Sequence, residues 1–373
     1  MADNKDKKVL KVPDLRFPEF TGEWQCKAIG KVAPLQRGFD LPTQNLVEGI
    51  YPVIYSNGIL QHHDKYKCEA PGLITGRSGT IGKFTYIDSG FYWPHNTSLW
   101  VTDFCGNCPK FIYYLYQTVH IEQFSTGSGV PTLNRNDVHR YKTFVPTAIV
   151  EQEKIAKFLS ILDERIATQN KIIEDLKKLK SVIIEKLYSE IQGKEYSFGQ
   201  LFEVVNERNK QMEYSNILSA SQEKGMVNRD DLNLDIQFER SNINTYKIVM
   251  AGDYVIHLRS FQGGFAFADK LGVCSPAYTI LRPNSLLEYG YLSYYFTSNR
   301  FIKSLIIVTY GIRDGRSINV EEWLNMKIAI PSKGQQFHIL KVLKSIDDKI
   351  ENEEIYATCL SNQKQYLLRQ MFI

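Results

Sequence analysis

The side chains best suited to reading a polar, anionic partner lie on a glycine-punctuated stretch, Gly72-Leu-Ile-Thr-Gly-Arg-Ser-Gly-Thr-Ile-Gly. Arg77, Ser78, Thr80 and Lys83 follow an apolar run there, and His257, Arg259, Ser260 and Gln262 stand at the matching place of a second stretch. Arginine pairs bidentately with guanine, and glutamine or asparagine with adenine, so these types can discriminate base edges in a major groove. A tight turn with solvated polar residues is the plainer reading of either stretch alone. Recurrence of an Arg-Ser pair among different neighbours favours base contact. Secondary candidates are Asn57, His62 and Lys65 in the first stretch of chain and Lys224 in the second. Arg135, Arg313 and Arg316 suit phosphate contacts, which fix register without carrying sequence information.

Catalytic constellations are not evident. In Gly-Arg-Ser-Gly-Thr-Ile-Gly-Lys-Phe the first glycine is one place too far from Gly82-Lys83 for a phosphate loop, and Phe84 stands where a magnesium-binding hydroxyl belongs. No GxGxxG follows a strand, and GxSxG and HExxH are missing. So are an Asn-Pro-Pro-aromatic methyltransferase signature and a nuclease-like Asp…Glu-x-Lys. Asp163-Glu164 reads most simply as the solvated face of a helix. Cys105-Gly-Asn-Cys108 is half of a zinc pattern with no second pair, and His62-His63 has no partner ligands at suitable spacing, so no metal is expected.

The elements that position these residues occur twice. Glu151–Tyr188 and Gln335–Phe372 match at a constant offset of 184 residues. In the first, Ile155, Leu159, Leu162, Ile166, Ile173, Leu176, Ile183 and Leu187 form a heptad seam broken at Gln169 and Lys180. The second repeats it as Ile339, Leu343, Ile346, Ile350, Ala357, Leu360, Leu367 and Met371, with breaks at Glu353 and Lys364. Chance shares a heptad readily, but seldom two polar layers at the same two places. Each segment follows a strand-like run closed by proline, at Pro146 and Pro331, where a helix start tolerates it. Upstream, Asn134 answers Asn319, Val138 answers Trp323, Arg77 answers Arg259 and Gly82 answers Gly264. The offset grows from about 169 near Ile29 and Phe198 to 185 at the prolines, so the second copy carries small loop insertions.

The fold class expected is α+β: two similar globular domains separated by two long helices. The divisions are an N-terminal extension (1–16), domain 1 (17–146), the first helical region (147–192), domain 2 (193–332) and the second helical region (333–373). A helix of ~40 residues is ~60 Å long, and its seam needs a partner. The other copy is the nearest one, so an antiparallel intramolecular coiled coil with pseudo-twofold symmetry is expected, the domains at opposite ends. Placing Leu162 opposite Met371 and Leu187 opposite Ile346 sets Lys180 against Glu353 and Gln169 against Lys364, an ion pair that would fix register. The plainer reading makes these breaks solvated gaps.

The 373 residues suit two or three domains, and 43% apolar with 23% charged residues is ordinary for a folded chain. A net charge of +4 permits a polyanionic partner without demanding one. No apolar run follows the N-terminal lysines and no window suits a membrane span, so a cytoplasmic protein with reduced thiols at its six cysteines is expected.

This layout resembles the specificity subunit of type I restriction–modification enzymes, over nearly the whole chain. The resemblance rests on the domain openings Trp24…Ile29-Gly30-Lys31-Val32 and Phe198-Gly199-Gln200-Leu201, on the two Arg-Ser stretches, and on Val145-Pro146…Glu151-Gln152-Glu153-Lys154-Ile155. No single motif is specific; their order and repetition are. It implies that each domain reads half of a split double-stranded DNA target, with half-sites about one ~34 Å turn apart. It also implies that the helices dock two methyltransferase subunits, which restriction subunits join, and that S-adenosylmethionine, ATP and magnesium belong to those partners. The chain itself would carry no catalysis, cofactor or metal. Gln335-Gln336-Phe337-His338 departs from the usual acidic-Gln helix start. The alternatives are a stand-alone nuclease and a coiled-coil scaffold.

Overall fold

A computed structural model describes residues 11–126, 131–221, 224–231, 240–257, 264–310 and 317–373. Helices α1 (Pro109–Thr118), α2 (Ile149–Ser189), α3 (Tyr291–Tyr295) and α4 (Lys333–Met371) alternate with strand-rich stretches. The chain divides into two compact units, residues up to 170 with 355–373, and residues 171–354. Each therefore holds one globular domain with one part of each long helix.

In the first unit, strands β1 (Leu35–Arg37), β2 (Gly72–Gly76), β3 (Phe84–Ile87) and β4 (Ser98–Val101) form an antiparallel sheet in the order β1-β4-β2-β3. All five residues of β2 are buried, which explains why this strand reads as an unbroken small-and-apolar run without alternation. Leu35, Leu73, Leu99 and Val101 share a core with Phe111, Ile112 and Leu115 of α1. Pro109 begins α1, where its missing N–H costs no hydrogen bond. A second sheet orders Gly58–His63, Tyr51–Tyr55, Phe91–Pro94 and Cys68–Glu69.

The second unit repeats the first sheet. Strands β5 (Phe202–Val205), β6 (Tyr254–Ile256), β7 (Phe265–Phe267) and β8 (Thr279–Pro283) run antiparallel in the order β5-β8-β6-β7. Where the first unit has a second four-stranded sheet, the described residues of this one form strand pairs, Leu218–Ser221 with Gly225–Asn228 and Lys247–Val249 with Gly272–Cys274. Each domain is closed by pairing its first strand with its last: Gln25–Ala28 with Lys142–Val145, and Lys194–Ser197 with Lys327–Ile330. Asn134 and Asn319 both cap a short helix with their side-chain oxygens, and the matched Val138 and Trp323 are both fully buried.

The starts of the long helices are built alike. Gln152 Nε2 donates to the Pro146 carbonyl (3.0 Å) and to Asn107, while its Oε1 accepts from the Cys108 amide (2.8 Å). Gln336 Nε2 donates to the Pro331 carbonyl (3.1 Å) and to that of Leu286, while its Oε1 accepts from the Glu288 amide (2.8 Å). The preceding residue differs. Glu151 takes a bidentate bond from Arg16 and one from the Trp24 indole, whereas Gln335 binds Ser332 beside it.

Within each unit the two helix segments run antiparallel. In the first, Asp163 pairs with Lys364 at 2.6 Å, while Arg165, Thr168 and Gln169, farther along α2, border a groove with Tyr356 and Leu360, earlier in α4. In the second, Lys180 pairs with Asp347 and Lys177 with Glu354. Ile155, Leu159 and Leu162 pack with Leu367 and Met371, and Leu360 is buried on the same seam. Ile183, Leu187 and Ile346 flank a core containing Leu343, and Ile350 is also buried; Ile166 is half-buried.

The polar layers correct the register expected from the heptads. Lys180 pairs with Asp347, where Glu353 is expected, and Lys364 with Asp163, where Gln169 is expected. Tyrosine hydroxyls of the globular domains anchor both aspartates, and heptad arithmetic contains no such contact. Glu353 pairs with Lys349, one turn earlier on its own helix. Asp163 is thus not a solvated surface residue, whereas Glu164 is exposed.

Candidate nucleic-acid interface

Three turns meet beyond the end of β2. The Arg77 amide donates to the Thr97 carbonyl (2.9 Å), and the Ser56 amide donates to the Thr97 hydroxyl (3.3 Å). The Thr80 hydroxyl donates to the Ser56 carbonyl. The loop after β2, the Ser56-Asn57 turn and the His95–Thr97 turn are thereby one surface. Gly76 lets them close, since a Cβ there would stand 2.7 Å from the Thr80 carbonyl oxygen. Gly82 (φ +84°) lies in the left-handed region that glycine tolerates, and so does its counterpart Gly264 (φ +48°).

This arrangement brings Asn57, Arg77, Ser78 and Thr80 together. Lys83 belongs to the same loop through its amide bond to the Thr80 carbonyl, and Asn57 and Lys83 are exposed. Ser78 bridges Thr132, and the Leu133 amide donates to the Arg77 carbonyl, so exposed Arg135 begins its short helix beside the same loop. His62 and Lys65 are exposed but not gathered in. His62 is five residues beyond Asn57, ~17 Å along an extended strand.

Beside the turns around Asn57 and His62, the structure adds one residue with no signal in the sequence, His95. The Tyr55 ring lies 4.2 Å from that of His95, and its hydroxyl donates to Gln61 Oε1 (2.7 Å), which leaves the Gln61 amide nitrogen free to donate outward. Burial holds His95 below the usual histidine range, so it is neutral near pH 7. Nothing local in the sequence marks His95.

In the second unit, Lys224 is exposed at the tip of the hairpin joining Ser221 to Gly225, its amide bonded to the Ser221 hydroxyl (3.3 Å). Gly225 has φ +70°, and a Cβ there would lie 2.5 Å from the Phe267 carbonyl oxygen, so the tip is pressed against β7. His257 follows β6 directly and its amide donates to Gly264; burial lowers its pKa. Arg259, Ser260, Gln262, Arg313 and Arg316 lie outside the described residues. Among the described residues, no cluster of His, Cys, Asp or Glu could hold a metal, and no helix is long and apolar enough to cross a membrane.

The model of the type I restriction modification DNA specificity domain matches the sequence twice, over residues 21–178 and 192–358. The chain is 27% identical over 281 residues to the type I restriction enzyme MjaVIII specificity subunit of Methanocaldococcus jannaschii, covering 64% of each protein. It is 25% identical over 265 residues to the putative MjaX specificity subunit of the same organism, covering 64% of this chain and 62% of that one. The matched regions thus span under two thirds of these curated relatives. The fold is similar to the crystal structure of the type I restriction–modification S subunit from M. genitalium, with TM-score 0.57, 16% identity, and coverage of 97% and 99% of the two chains. It also resembles a chain from a structural study of assembly and conformational transition in a type I system, with TM-score 0.58 and 14% identity over 92% and 96%.

Proposed function

Because this chain belongs to the family of type I restriction modification DNA specificity domains, we propose that it is the non-catalytic subunit that recognises a bipartite, asymmetric double-stranded DNA target. The observation that carries this is the duplication. Two domains share one sheet order and one helix-start clamp, yet differ in the sequences that follow the central strand, Arg-Ser-Gly-Thr against Arg-Ser-Phe-Gln, which suits one scaffold adapted to two half-sites. In this reading the helix surfaces dock two methyltransferase subunits, and restriction subunits join through them. S-adenosylmethionine, ATP and magnesium serve those partners, and the assembly works in the cytoplasm. Asn57, Gln61, Arg77, Ser78, Thr80 and Lys83 form the reading surface of the first domain, with Lys224 and His257 on that of the second.

Co-purification with the methyltransferase encoded beside it, followed by mapping of methylated adenines, tests this. The expected product is methylation at a split motif. Replacing residues 17–146 by those of a relative should change one half of the motif and leave the other intact. Methylation without a split motif, or a change in both halves, overturns the reading.

A further inference from the structure

We propose that two copies of a Tyr–Asp–Lys triad, Tyr114–Asp163–Lys364 and Tyr294–Asp347–Lys180, are positioning residues: they set the pose of each recognition domain on its own helix segments and thereby hold the gap between DNA half-sites to one value. This rests on the DNA-reading function proposed above.

The Tyr114 hydroxyl donates to Asp163 Oδ2 at 2.7 Å, and Lys364 Nζ meets Oδ1 of the same carboxylate at 2.6 Å while lying 5.6 Å above the Tyr114 ring. In the second unit the Tyr294 hydroxyl donates to Asp347 Oδ2 at 2.7 Å, and Lys180 meets Asp347 Oδ1 while lying 5.1 Å above the Tyr294 ring. The atoms used are the same in both. The tyrosine comes from the domain, on α1 or α3; the aspartate from one long helix; the lysine from the other. Each long helix supplies the aspartate of one triad and the lysine of the other, 184 residues apart in both cases.

This geometry is demanding. Both carboxylate oxygens are committed to different partners, so the three elements satisfy it at only one rotation and one axial setting. The lysine side chains are only 14% and 26% exposed, which shields the pairs from solvent more than an ordinary surface bridge. Burial, with the neighbouring carboxylate adding to it in Tyr294, pushes the tyrosine hydroxyls well above the usual range, so they remain donors. Among the described residues, the hydrogen bonds and ion pairs of the triads involve none of Asn57, Arg77, Ser78, Thr80 or Lys83. Successive base pairs are ~3.4 Å apart along the duplex, so a domain that rocks by a few ångströms can meet its half-site at a neighbouring gap. Loop residues select bases; the triads select spacing.

The test is methylation mapping with the complete complex carrying Tyr114→Phe, Tyr294→Phe, Asp163→Asn or Asp347→Asn. The phenylalanines retain the ring and its packing and remove only the hydroxyl. We expect unchanged half-site bases, with methylation at sites one base pair longer or shorter rising about tenfold or more, as for loss of a charge-assisted hydrogen bond. A wild-type complex with one strict gap whose phenylalanine variants keep it overturns the inference alone. So do altered bases at an unchanged gap, or phenylalanine variants too unstable to assemble. A wild-type complex that methylates no split site removes the DNA reading and this inference with it.

Discussion

The two globular domains agree where they meet the long helices and differ where they face away from them. Sheet order, the pairing of first with last strand, the buried glutamine clamp and the tyrosine–aspartate bond are shared. The first domain then adds a four-stranded sheet carrying Asn57 and Gln61, where the second has two strand pairs with Lys224 at one tip. Contacts to a common pair of helices constrain one side of each domain, while surface loops diverge without disturbing the core. The same contrast recurs inside the cores. Trp323 of the second domain, stacked on Phe198 at 4.3 Å and 10° between planes, fills a place that Val138 fills in the first.

That contrast gives the largest expected effect. Trp323→Ala should cost about 3–5 kcal/mol in urea unfolding and Val138→Ala about half as much, through the difference in volume removed. Equal losses would mean that the two cores are not built around this position. Next is the helix start. Glu151→Ala leaves the Arg16 guanidinium and Trp24 indole without their acceptor, where the Arg16 and Glu151 side chains are only 13% and 3% exposed. It should cost about 3 kcal/mol, while Gln335→Ala, exposed at the matching place, should stay within about 0.5 kcal/mol. A comparable loss at both would show that the difference between the helix starts is cosmetic.

The smallest effect is acid sensitivity. His139 Nε2 accepts from the Leu35 amide at 2.8 Å, and burial, with Arg135 nearby, lowers its pKa below 6.5. A depressed histidine contributes stability that is complete above the unfolded value and is lost as pH falls through the folded one. His139→Leu copies Leu324, which packs on Gly199 as His139 packs on Gly30. It should lower stability by about 1 kcal/mol at pH 7.5 and flatten the decline in melting temperature between about pH 6.5 and 5. An unchanged slope would assign the acid sensitivity to other groups, with His95 and His257 also lowered by burial.

Much of this was legible in the residues. The seam from Ile155 to Leu187, its repeat from Ile339 to Met371, the prolines before both helices and the Asn134–Asn319 match follow from local periodicity and capping, which depend only on near neighbours in the chain. Among the candidate residues, the glycine spacing identified Arg77, Ser78 and Thr80 as a loop, but not that Ser56 and Thr97 close on it. Nor did spacing separate Asn57 from His62, because a strand carries its residues ~3.3 Å apart whether or not they share a surface.

Sequence alone determined the duplication, the two long helices and the side of each that is apolar, because those are properties of period and composition. Tertiary structure alone decided which charges meet. Lys180 meets Asp347, whose other carboxylate oxygen a tyrosine from a third element binds, and such a partner lies far off in the chain. Pairing energies depend on distance and burial in space, and a one-dimensional pattern contains neither.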